Sequence, residues 1–60
     1  MNEKEMIQKN IEEFSRLQDY MLAAEKDSNV YKLMKIRYYD LKSILTSSGI
    51  NLTDIDRIKE

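Results

Sequence analysis

The chain has no cysteine, histidine, proline or tryptophan, and a single glycine, Gly49. Each absence closes a route. Without cysteine there is no disulfide and no thiolate metal site, and a reducing cytoplasm is the expected setting. Without histidine, the commonest zinc ligand and the usual acid–base group at neutral pH are both missing. One glycine cannot build a phosphate-cradling loop. With no proline and nothing to break the chain before Gly49, long helices are favoured and an all-β fold is not. The longest uncharged stretch, Ser43 to Thr53, is polar in its middle, so no segment is expected to span a bilayer. Met1 to Gln8 carries three charges and no apolar run behind them, so a signal peptide is not expected either.

What is present is charge and helical periodicity. Charged residues make up 35% of the chain and nearly cancel, with a net charge of −1, which argues against a general nucleic-acid or membrane binder. Sixty residues form one small domain. Such a chain buries only about 60% of its unfolded surface, and domains of this size usually need a disulfide, a metal or a partner chain. With the first two excluded, a second copy is the most economical staple, and a homodimer is expected.

The first helix is predicted over about residues 3–26, with Asn2 and Glu5 at capping-box spacing. Its seam reads Ile7, Asn10, Phe14, Leu17, Met21 and Ala24. Ile11 and Leu22 widen that stripe on one side and Met6 on the other, while Asn10 and Gln18 interrupt it. The register fails beyond residue 27, where Asp27-Ser28-Asn29 prefer caps and turns to helix interiors. A second helix over about 29–47 follows, giving an antiparallel hairpin. Its apolar stripe is Val30, Leu33, Met34, Tyr38, Leu41, Ile44 and Leu45. Gly49 suits the left-handed residue after a helix. Residues 50–60 form a short third helix or tail that docks through Leu52, Ile55 and Ile58 or frays, with Thr53 and Asp56 as a capping-box pair. The fold expected is therefore all-α: one domain, 1–60, an antiparallel hairpin with a short third helix or tail that assembles into a homodimeric helical bundle. The expected hairpin or dimer core is Ile7, Ile11, Phe14, Leu17, Met21, Val30, Met34, Tyr38, Leu41, Ile44 and Leu45. This architecture is analogous to small hairpins that dimerise into four-helix bundles, such as plasmid copy-number regulators; the analogy is one of fold and carries no residues across.

Two polar residues sit in the seam. Arg37 falls near the middle of the second helix's apolar arc and Gln18 near the middle of the first's. An unpaired buried guanidinium is costly. Arg37 is therefore expected to reach the rim, with its stem packed and its head in water, to fix register with Gln18 in a dimer core, or to bind a ligand or partner. The rim is favoured.

Catalytic machinery is not evident. No Cys or His activates a nucleophile, and a lone Ser or Thr has nothing to activate it. Glu12/Glu13 and Asp54/Asp56 are near neighbours that do not share a helix face, so they cannot converge as an acid–base pair. All four are expected on the solvated surface. No Glu-x-x-His motif supports a di-metal bundle, and Asp54-Ile55-Asp56 lacks the rest of a calcium loop. No enzyme activity, cofactor or metal is expected.

Charge is unevenly distributed. Residues 1–27 hold seven acidic and four basic side chains, net −3; residues 28–48 hold one and four, net +3; residues 49–60 hold three and two, net −1. The two helices are expected to answer each other's charge. A nucleic-acid reading rests on residues 41–58, which partly match a helix-turn-helix, or on the lysine/tyrosine face of the second helix. The would-be reading helix is acidic, which disfavours phosphate contact. Protein contact uses the same face more fully. Ile36 and Tyr39 lie outside the main apolar arc among Lys32, Lys35 and Lys42, and apolar groups rimmed by charge often mark contact sites. Tyr20 and Tyr31, near the turn, are expected to extend that surface. The leading expectation is a small non-enzymatic regulator, of the kind common among bacterial and phage accessory proteins. It would bind a transcription factor, kinase or replication protein through Lys32, Lys35, Ile36, Tyr39 and Lys42.

Overall fold

The computed structural model describes residues 2–60. It is all-helical, with α1 spanning Glu3–Ala23 and α2 spanning Asn29–Ser47, and no strand among the described residues. Phe14 stacks on Tyr38 with ring centroids 5.5 Å apart, Glu13 pairs with Arg37, and Met21 shares a cavity wall with Tyr31. The helices therefore run in opposite directions as a hairpin.

Both helix starts are capped by the residues the chain offers. The Asn2 side chain accepts from the Glu5 amide at 2.8 Å. Ser28 accepts from the Tyr31 amide at 3.1 Å and donates its hydroxyl to the Glu25 carbonyl at 2.7 Å. A side-chain oxygen at this position satisfies an amide the helix cannot pair and is worth about 1 kcal/mol. Helix α1 ends at Ala23, three residues before the expected Lys26. The chain needs those residues to reverse direction: Ala24 is extended, and the Ser28 amide closes a turn onto the Glu25 carbonyl. Helix α2 ends in a Schellman motif. The Ile50 amide bonds the Leu45 carbonyl and the Gly49 amide bonds the Thr46 carbonyl, both at 3.0 Å, with Gly49 at φ +83°. Ile50 then packs against the core, as the motif favours.

The core is Phe14, Met21, Tyr31, Tyr38, Leu41 and Leu45, with Ile11, Leu17, Ala24 and Met34 packed against it from the helices. Leu52, Ile55 and Ile58 close it from the tail. Each fully buried large side chain contributes about 1.5–3 kcal/mol. Ile7 is half-buried, at the open end of the hairpin. Val30 and Ile44 do not belong to the hairpin core, being 60% and 38% exposed. Leu33, Leu22 and Met6 are likewise exposed. Tyr31, expected on the surface, is buried instead, because α2's inner face is centred nearer Tyr31, Tyr38 and Leu45 than Val30. Its hydroxyl has no partner among the described residues.

Residues 50–60 do not form a third helix. They make one helical turn, closed by the Asp56 amide on the Leu52 carbonyl at 2.8 Å, and then extend. The expected Thr53/Asp56 cap is replaced by Asn51, whose side chain accepts from the Thr53 amide at 2.9 Å. Asp56 is thereby free to turn inward and is buried, contrary to the solvated position expected for it.

A candidate protein-contact surface on helix α2

Three sides of helix α2 bear on the candidate surface. Its inner side closes the hairpin. A second side is covered by the tail, and the tail is held by buried polar groups from both helices. The Gln18 amide is fully buried. It donates to the Ile55 carbonyl at 2.9 Å and to the Phe14 carbonyl at 3.3 Å, and its oxygen accepts from the Arg57 and Ile58 amides. Gln18 is thus occupied by the tail. Arg37, its expected companion, lies on the rim, where Nε and Nη2 grip the Glu13 carboxylate at 2.8 and 3.1 Å.

Tyr38 and Asp56 form the second clasp. The Tyr38 hydroxyl donates to Asp56 at 2.6 Å and accepts from the Glu60 amide at 3.1 Å. Asp56 also accepts from the Lys59 amide at 2.9 Å and lies 3.2 Å from the Lys42 ammonium. Burial alone would push the Asp56 carboxyl up. The Tyr38 hydroxyl, the Lys59 amide and Lys42 together hold it below the ordinary carboxylate value. Burial and the hydrogen bond to Asp56 raise Tyr38. Burial opposes the charge on Lys42, but its carboxylate and phenol neighbours prevail and its pKa is raised. Lys59 adopts a left-handed φ of 58°, which swings Glu60 back toward α2. There the Glu60 carbonyl accepts from Lys42 at 2.7 Å and its carboxylate pairs with Lys35 at 2.6 Å.

The basic charge of α2 is therefore answered mainly by the tail. Lys35 and Lys42 pair with residues of the 49–60 segment, and among the described residues Arg37 alone of the α2 cations pairs with α1. Sequence reasoning assigned this role to α1. It missed the tail because the inward turn of Asp56 depends on the Asn51 cap and on a buried phenol, neither of which shows in a periodicity.

The third side faces outward. Of the five residues expected to bind a partner, Lys32, Ile36 and Tyr39 are exposed, whereas Lys35 and Lys42 are half-buried beneath the tail. Ile36 is 62% exposed and Tyr39 46%. The Tyr39 ring leans on Tyr38 at 5.4 Å and has Lys35 5.8 Å from its centroid. An open groove lined by Tyr39, Lys42, Ser43, Thr46 and Ser47 continues the face toward the end of the helix. Tyr20 is exposed near the hairpin turn. Among the described residues no group of acidic side chains is placed to hold a metal ion, and no helix is long and apolar enough to cross a membrane.

The chain matches no protein-family model, no curated protein and no solved structure with which it was compared.

Proposed function

We propose that this chain is a small non-enzymatic regulator that works by protein–protein contact, as a homodimer that binds a further protein such as a transcription factor, kinase or replication protein. The observation that carries this reading is the outward side of α2. Ile36 and Tyr39 stay exposed although the hairpin core is already closed by other residues of the same helix. Exposed tyrosine and aliphatic groups beside a cation suit the centre of a protein interface, where aromatic side chains are enriched. Lys32, Ile36 and Tyr39 are the residues proposed to meet the partner, with the Tyr39–Ser47 groove beside them.

The nucleic-acid reading is weaker on the same surface. Lys35 and Lys42 are engaged by Glu60 and Asp56, which leaves fewer cations to neutralise phosphates. A helix-turn-helix at 41–58 needs a second helix after Gly49, and that segment is a single turn. The test is capture from extract of the source cells by the immobilised full chain at moderate salt, with and without nuclease. Capture of a defined protein that survives nuclease and is lost with Ile36→Ala, Tyr39→Ala supports the reading. Retention that depends on nucleic acid, or capture indifferent to the substitutions, overturns it.

A further inference from the structure

A second exposed apolar line runs along α2 beside the partner face, meeting its groove at Ser47. Val30, Leu33, Arg37, Asp40, Ile44 and Ser47 recur at alternating three- and four-residue steps, the spacing of a two-helix seam. All six are exposed, with Val30, Leu33 and Ile44 at 60%, 68% and 38%. Two of its central positions are charged and of opposite sign. Asp40 has no hydrogen-bond or ion-pair partner among the described residues, and Arg37 spends only Nε and Nη2 on Glu13, leaving Nη1 without one.

We infer that this line is the surface on which a second copy of the chain docks, its α2 antiparallel to the first with Arg37 opposite Asp40 of that copy. The inference rests on the homodimer of the proposed function and specifies its interface. The pattern is self-complementary in one way only. Antiparallel pairing about the midpoint between residues 38 and 39 sets Arg37 against Asp40, Leu33 against Ile44 and Val30 against Ser47, each twice by symmetry. Both charges are then paired and the apolar side chains cover each other. Parallel pairing in register would place Arg37 on Arg37 and Asp40 on Asp40, and like charges face to face disfavour it. Sliding the antiparallel pair by seven residues either way sets Val30 against Asp40 or Asp40 against Ile44, and shortens the overlap. The Arg37 fork can hold Glu13 along one edge and a second carboxylate along the other, a geometry available to guanidinium and not to lysine. Ile36 and Tyr39 are not on this line, so the dimer can still receive a partner through them.

Charge exchange tests the register on the full chain. The native chain is expected to sediment as a dimer at micromolar concentration. Arg37→Glu and Asp40→Arg each place like charges at both symmetric contacts, and each is expected to raise the dissociation constant by at least about ten-fold, as 1.4 kcal/mol does. Mixed in equal amounts, the two variants restore opposite charges at both contacts and recover the dimer mass. Because Arg37→Glu also faces Glu13, a cysteine test runs beside it in a chain that has no cysteine of its own. Short-range thiol cross-linking should join Leu33→Cys chains to Ile44→Cys chains and leave each variant alone uncoupled, since like positions lie about 16 Å apart along the antiparallel pair. A native monomer throughout the concentration range overturns the docking of a second copy, while the partner reading is judged separately by capture. A native dimer in which Leu33→Cys couples to itself, or in which neither charge variant weakens association, overturns this interface.

Discussion

The side-chain amide of Gln18 is bonded to the backbone of Ile55 at 2.9 Å, across 37 residues of sequence. One glutamine in the last third of α1 thereby fixes a segment that has no regular structure of its own. Its oxygen takes the Arg57 and Ile58 amides at the same time, so it pairs three backbone groups that would otherwise meet an apolar core. Buried backbone polar groups are almost always paired, and here a side chain does what a strand or helix would do elsewhere.

Gln18→Leu keeps the apolar bulk and removes those bonds. The tail should detach while the hairpin persists. Amide exchange measured by NMR is expected to show Arg57 and Ile58 losing their protection, with the central amides of α1 and α2 retaining most of theirs. Uniform loss across both helices would show that tail and hairpin unfold as one unit.

Tyr38→Phe removes the hydroxyl shared by Asp56 and the Glu60 amide. A hydrogen bond to a charged group contributes about 1.5–3 kcal/mol, and the stacking on Phe14 is kept. Chemical denaturation should show a loss in that range, with Asp56→Asn costing a similar amount and the double change less than the sum.

Acid should release the tail. The folded Asp56 carboxyl lies below its ordinary value, since its hydrogen-bond donors outweigh burial, so its contribution is fully present above the unfolded value of about 4. It is lost as pH falls from there through the depressed folded value. Glu60, lowered chiefly by its hydrogen bond to Lys35, and Glu13, lowered chiefly by its hydrogen bond to Arg37, act in the same direction. The melting temperature should be flat near neutral pH and fall below about pH 4. Asp56→Asn should start lower and fall less.

Gly49→Ala isolates backbone conformation. A Cβ there would meet nothing within 4 Å, yet φ is +83°. The cost should be about 1 kcal/mol from the left-handed geometry alone, read as a lowered melting temperature with unchanged helical content.

The hairpin was legible because its signals are local. The α2 boundaries follow from Ser28 as cap and Gly49 as stop, and Phe14, Met21, Tyr38, Leu41 and Leu45 follow from a 3.6-residue period. The tail was legible only as an apolar set, Leu52, Ile55 and Ile58, because its path depends on long-range bonds from Gln18 and Tyr38. Val30 and Ile44 fit the expected hairpin or dimer core only outside the hairpin, because a helix this slender offers one arc to its neighbour and those two lie past its edge. The outward side of α2 was only half legible: Ile36 and Tyr39 stand where periodicity puts them, but nothing in the spacing of Lys35 and Lys42 announced that Glu60 and Asp56 would cover them.

On the proposed reading, the outward side of α2 serves contact and not the fold. Thermal unfolding of Ile36→Ala, Tyr39→Ala followed by circular dichroism tests it most directly, at a concentration where the dimer state of variant and native chain is the same. Native helicity and a cooperative melt within a few degrees of the native chain are expected, as substitutions on an exposed surface usually give. Loss of helicity or of the cooperative transition would contradict it and assign Ile36 and Tyr39 to the core.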